Sequence, residues 1–240
     1  MTEWIDTHPV VDVPLAEYQR LLGYPRGHEM NGRPQELAEW ALAWYAANGH
    51  PWSYAREAKP AQSSLTDGES VAIEGVVFES SGLRRHFARF AAEGAVLAAF
   101  SAGPDLEHEA NRLWRDEKPD EYYFLEVLGA AVVERLAAMT GARLCAWAER
   151  NAAAVLPHYS PGYPDWDIAQ QPRLLALLRG GATLPGPLEA LASGALRPKK
   201  SLLAVFGLTR HADVRPLTDV LTCQSCSLAS CQYRRRPATS

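Results

Sequence analysis

AVLAAF, residues 95–100, decides how the rest of the chain is arranged. A short, unbroken apolar run of this kind reads as a strand buried on both faces. Gly103 and Pro104 break it and open a helix whose inward face is Leu106, Ala110, Leu113 and Trp114. Upstream, VAIEGVVF, residues 71–78, alternates as a strand does, and Ser80 or Ser81 caps a following helix that buries Leu83, Phe87 and Phe90. SLLAVFG, residues 201–207, is the third strand. Between these strands, Phe124, Val127, Leu128, Ala131, Leu136 and Met139 describe a long helix from Asp120 to Thr140, stopped at Gly141, and a second helix runs through Cys145 to Ala153. Near the N-terminus, Pro34 opens a helix over residues 34–48 with Leu37, Trp40, Ala41, Trp44 and Tyr45 on one face before Gly49. Asp167 caps a segment carrying Leu174, Leu175 and Leu178, which Pro172 either starts or kinks. Helices and short strands mix without a βαβ rhythm. This predicts an α+β fold: a mixed or antiparallel sheet with surrounding helices, and a helical, tryptophan-rich N-terminal lobe. The expected organisation is a lobe over residues 1–60, an α+β core over 61–210 and a cysteine-containing basic tail over 211–240.

The bulk properties exclude several classes. With 24 basic and 28 acidic side chains the formal charge is 24 − 28 = −4, so no global basic field favours nucleic acid, and only Arg234 to Arg236 are locally basic. No run approaches the ~20 apolar residues of a membrane span. The opening MTEWIDTHPVVDVP has acids and a proline where a secretory signal needs a basic start and an apolar stretch, which predicts a cytoplasmic protein.

The chemistry concentrates in two places. HYSPGYPDW, residues 158–166, is a proline-framed turn: Pro161 and Pro164 fix φ and remove two donors, while Gly162 permits backbone geometry closed to other residues. It reads either as a rigid platform that presents carbonyls and Tyr163 to a ligand or as a loop packing aromatics over a core edge. The second place is the tail, where CQSCSLASCQYRRR holds Cys223, Cys226 and Cys231. In a cytosolic chain this spacing favours zinc or an iron–sulfur cluster over a reversible disulfide or inert thiols. Zinc and cubane clusters take four ligands, so one more is needed: Cys145, His211, a second copy of the chain or an exogenous group. Cys145 itself reads as a small buried side chain, and His28, within GYPRGHE, as structural or interfacial. The carboxylates between Asp116 and Glu121 read as a solvated helix start.

LLGYPRGHE (Leu21–Glu29), FESSGLRRHF (Phe78–Phe87), SAGPDLE (Ser101–Glu107), the HYSPGYPDW turn and RPKKS (Arg197–Ser201) occur in this order, and with them the chain resembles the activation domain of cobalamin-dependent methionine synthase. It is most similar to the free-standing bacterial proteins of that kind that end in a CxxC tail with a distal cysteine. The resemblance implies a shallow groove for S-adenosylmethionine, docking on the cobalamin-carrying module of the synthase or of another corrinoid protein, and an external electron donor. It implies an accessory to reductive methylation of cob(II)alamin, one that positions reactants instead of supplying an acid, base or nucleophile. Carried over by position, the groove uses His158, Ser160, Pro161, Gly162 and Tyr163, with Phe206 in the strand that follows. Three departures stand out. His158 replaces an arginine that grips the ligand's carboxylate, Leu191, Ala192 and Ser193 replace Thr-Glu-Ser, and Phe206 replaces an aromatic hydroxyl. Arg150 and Arg173 are the nearby cations able to take over the carboxylate. The alternative reading is a zinc or iron–sulfur redox module on a degenerate scaffold of the same fold.

Overall fold

The computed structural model describes residues 2–25, 27–58, 69–180 and 182–210. The fold is α+β, as expected. Its centre is a five-stranded antiparallel sheet in the order β1-β2-β5-β9-β6, built from β1 (Glu3–Asp6), β2 (Trp52–Glu57), β5 (Gly94–Ser101), β9 (Ser201–Thr209) and β6 (Ala154–Val155). The apolar run at 95–100 is β5, flanked by β2 and β9, with Ala98 opposite both Ala55 and Ala204. Val96, Ala98 and Phe100 point into one core, and Ala95, Leu97 and Ala99 into the other. Two-sided burial explains why this strand does not alternate.

The first core lies under four helices: α1 (Leu15–Leu21), α2 (Gly32–Asn48), α4 (Pro104–Arg115) and α5 (Pro119–Arg150). The first sixty residues supply α1 and α2, and they also supply β1 and β2 of the central sheet. Two buried phenols tie this part down: the Tyr18 hydroxyl donates to the Phe124 carbonyl at 2.7 Å and that of Tyr45 to the Ala102 carbonyl at 2.8 Å. Burial pushes both hydroxyls well above the usual phenol range.

Three local expectations need correction. The stretch Val71–Phe78 is a hairpin and not one strand: β3 (Ser70–Ile73) turns back on β4 (Val76–Glu79) through Glu74 and Gly75, both at positive φ (50° and 80°). This is the geometry of a two-residue hairpin turn whose twist matches its strands. Gly141 does not stop the long helix. α5 runs unbroken to Arg150 because the buried stripe Leu136, Thr140, Leu144, Ala148 continues past it in steps of one turn, and that packing outweighs a glycine's cost of about 1 kcal/mol. Trp114 does not face inward. Leu106, Ala110 and Leu113 occupy the buried side of α4, whereas Trp114 is 63% exposed and leans on Tyr122.

The second core is covered by smaller pieces: α3 (Ser81–Arg89), α6 (Gln171–Arg179), the β3–β4 hairpin and the short hairpin of β7 (Glu189–Ala190) and β8 (Leu196–Arg197). Ser80 caps α3, its hydroxyl accepting from the Leu83 N–H at 3.0 Å, and Pro172 opens α6 without kinking it. A buried ion pair fastens these pieces. Arg56 of β2, its side chain 4% exposed, donates to both carboxylate oxygens of Glu74 at 2.8 Å and to the carbonyls of Leu177 and Leu178 at the end of α6. The hydrogen bonds to Glu74, above all, hold the guanidinium's pKa up. Removing one member strands a buried charge, so Glu74→Gln should lower unfolding stability by about 3 kcal/mol in urea. A loss under about 1 kcal/mol, the range of surface pairs, would show that the pair does not fasten the hairpin.

Candidate functional site

The segment after β6 runs along β9 before it turns. Leu156 N–H donates to the Gly207 carbonyl at 2.8 Å, and Tyr159 exchanges two backbone bonds of 2.8 Å with Val205. The fully buried Ser160 hydroxyl donates to the Leu203 carbonyl at 2.6 Å and lies 3.2 Å from the Pro161 carbonyl. Its side chain therefore tethers the turn to the central sheet. Pro161 and Pro164 contribute no N–H, so the turn closes with the donors that remain. Gly162 donates to the Trp166 carbonyl, Tyr163 to that of Ser160 and Trp166 to that of Tyr163, at 2.8, 3.0 and 3.1 Å. Gly162 sits at φ 96°, which explains the glycine.

Beneath the turn runs a column of rings. His86 of α3 stacks on Tyr159 with centroids 5.6 Å apart, Tyr159 stacks on Trp166 at 6.2 Å, and Trp166 meets Phe78 edge-on at 5.8 Å. The approach of α3 requires Gly82: a Cβ there would lie 2.4 Å from the Tyr159 hydroxyl and 2.5 Å from the Pro164 carbonyl. Ser80 donates to the Asp165 carbonyl at 2.8 Å, and Arg85 pairs with the Asp165 carboxylate.

On the turn itself, His158 and Tyr163 are part-exposed partners. His158 Nε2 lies 2.8 Å from the Tyr163 hydroxyl, with donor and acceptor set by the tautomer, and the His158 ring packs 5.6 Å from that of Phe206. The structure thus brings together His158, Ser160, Pro161, Gly162, Tyr163 and Phe206. Phe206 is buried and touches the turn through His158. The Gly162 face is open apart from Ile168, 46% exposed, whose Cδ1 would lie 3.8 Å from a Cβ at Gly162. Leu191, Ala192 and Ser193 lie at the tip of the β7–β8 hairpin, where the Gly194 backbone passes so close to the Ile168 carbonyl that a Cβ at Gly194 would stand 2.4 Å from it. Arg173 is engaged elsewhere, donating to the Val77 carbonyl at 2.8 Å. Tyr159, His86 and Ile168 were not singled out from sequence. Tyr159 lies inside the quoted block, but its inward direction follows from its pairing with Val205.

Solved structures match this architecture. One is described as the crystal structure of the MetH reactivation domain bound to AdoHcy, with a TM-score of 0.60 and 14% identity over 89% of this chain and 79% of that one. The two share a fold. At that identity the likeness concerns the architecture alone. No protein-family model matches the chain, and no curated protein matches it.

Cys223, Cys226 and Cys231 lie outside the described residues, as does His211. Among the described residues no group of three or more His, Cys, Asp or Glu side chains is placed to hold a metal ion, and no helix is long and apolar enough to cross a membrane. Cys145 is half-buried in α5, and burial pushes its thiol up. His28 stacks on Tyr24 at 5.1 Å.

Burial, above all, lowers the pKa of His86. Its bond to the Pro157 carbonyl opposes this, and His158 and Arg89 lower it further. A histidine kept neutral in the folded state supports folding fully above its unfolded pKa of about 6.5, and that support is lost as the pH falls below it. The fall in melting temperature between about pH 7.5 and pH 5.5 should therefore be smaller in His86→Gln than in the parent protein. An equal fall would place the acid sensitivity elsewhere.

Proposed function

We propose that this chain is an accessory protein of the activation-domain type. It binds S-adenosylmethionine at the proline-framed turn and docks, in the cytoplasm, on a cobalamin-carrying methionine synthase or another corrinoid protein. There it supports reductive methylation of cob(II)alamin, the electron coming from an external donor. The observation that carries this reading is the Pro161–Gly162–Tyr163 turn, fastened to the central sheet of a fold shared with a domain solved with AdoHcy.

The residues of the turn suit such a ligand. The open Gly162 face admits close backbone approach, the part-exposed Tyr163 ring offers an apolar surface with a hydroxyl, and the His158 imidazole stands beside that hydroxyl. The chemistry of the bound sulfonium is transfer of its methyl group to the reduced cobalt held by the partner, leaving S-adenosylhomocysteine. The chain's own part is to hold the ligand in one orientation on a rigid platform. This asks for no acid, base or nucleophile from the turn.

His158 sets the affinity. A hydrogen bond from a permanently charged guanidinium to a carboxylate is worth about 1.5 to 3 kcal/mol, so His158→Arg should tighten S-adenosylmethionine roughly tenfold to a hundredfold in isothermal titration. Absence of binding in both proteins, with no capture of a cobalamin module, would leave the fold without this function.

The sequence of the tail supports a second role beside the first. Cys223, Cys226 and Cys231 hold zinc or an iron–sulfur cluster, and a cluster would suit a system that consumes electrons. Anaerobically purified protein should contain zinc or iron in stoichiometric amount, with visible absorbance for a cluster. Metal-free protein under those conditions would overturn this role.

A further inference from the structure

A groove unconnected with the Tyr163 turn runs along one face of α4. Its main hollow, of about 710 Å³, is bounded by Glu107, His108 and Asn111 of α4, by Arg179 at the end of α6, and by Glu189 and Arg197 of the β7–β8 hairpin. An adjoining hollow of about 600 Å³ shares His108 and Asn111 and extends the groove to Trp114 and Arg115. These volumes fall within the range of small-molecule sites. The two ends differ in chemistry. One carries the guanidinium groups of Arg179 and Arg197, and the other carries an indole.

Trp114 is 63% exposed, a large apolar surface left in water on an otherwise polar helix face. It is nonetheless held in place: its ring leans on Tyr122 at 5.1 Å, and the Lys199 ammonium lies over Tyr122 at 5.4 Å. The main hollow holds two cations, Arg179 and Arg197, and two carboxylates, Glu107 and Glu189, the latter directly across the hairpin from Arg197, and Arg115 of the adjoining hollow leaves cations in the majority by one. Outside the groove Glu126 is paired with Lys199 and Lys200 at 2.6 and 3.1 Å, and Glu107 accepts from the backbone N–H of Lys199 at 2.9 Å. Arg179 and Arg115 are aimed by bonds to the Leu188 and Asn111 carbonyls, and the exposed Arg197 side chain has no ion-pair partner among the described residues. From Pro104 to Arg115 the helix rises about 16 Å.

We infer that the α4 groove binds an anionic, nucleotide-like molecule, its flat ring on Trp114 and its phosphates between Arg179 and Arg197. Aromatic stacking and guanidinium–phosphate pairing are the interactions such side chains make best.

Titration of the full chain with ADP, adenosine and inorganic pyrophosphate tests this. ADP should bind. Trp114→Ala should weaken ADP and adenosine at least about tenfold and leave pyrophosphate unchanged, whereas Arg197→Gln should weaken ADP and pyrophosphate and leave adenosine unchanged. Both residues are exposed, so both variants should keep the parent's melting temperature. Tyr163→Ala should leave ADP binding intact, which separates this groove from the proposed S-adenosylmethionine site. No ADP binding at millimolar concentration, or ADP binding insensitive to both groove variants, would overturn the inference.

Discussion

Three adjacent strands, β2, β5 and β9, are covered on both faces, and the rest of the molecule is arranged around that constraint. A strand with no wet face must be apolar or have its polar side chains paired, and must find hydrogen-bond partners on both edges. β2 and β9 complete β5. On its outer edge β9 is completed first by β6 and then by the chain leading into the Pro161–Gly162–Tyr163 turn, through the two bonds between Tyr159 and Val205. The turn is thus an extension of the sheet's ladder. That is why a loop built on two prolines has a defined place, and why Ser160 is buried with its hydroxyl on Leu203.

The two sides of the sheet are held by different physics. Long helices cover one, and their apolar stripes suffice, with the Tyr18 and Tyr45 hydroxyls fixing where α1 and α2 sit. Short elements cover the other, none with much apolar surface of its own, and polar fastenings join them. Arg56 binds the β3–β4 hairpin and the end of α6 to β2, while Ser80 and Arg85 bind α3 to the turn at Asp165. The ring column from His86 to Phe78 fills the space between. The turn rests on this second side, so its geometry depends on interactions that pH and single substitutions can reach.

A platform of this kind can hold a bound molecule in one orientation. The β7–β8 hairpin gives the arrangement a further feature. Its tip presses on Ile168 beside Gly162, and its strands carry Glu189 and Arg197 into the α4 groove. One small element therefore borders both the turn and the α4 groove.

Much of this was legible in the sequence, because it is local. The apolar run at 95–100, the cap at Ser80, the proline starts at Pro104 and Pro172 and the rigid turn at 158–166 each follow from a few neighbouring side chains, and so does the α+β character that they add up to. What only the tertiary structure decided depends on partners distant in the chain. Trp52–Glu57 contains a charge that argues against a buried strand until Glu74 of another hairpin neutralises Arg56. Gly141 is a local stop signal overruled by the buried stripe that continues across it, and Trp114 lies on the helical face but one step beyond what the neighbouring elements cover. The residues from His158 to Tyr163 are neighbours in sequence, yet the inward direction of Tyr159 comes from its pairing with Val205, and His86 reaches it through the close approach of α3 at Gly82. Spacing along a chain determines period and punctuation; which surfaces meet is settled by the packing of the whole.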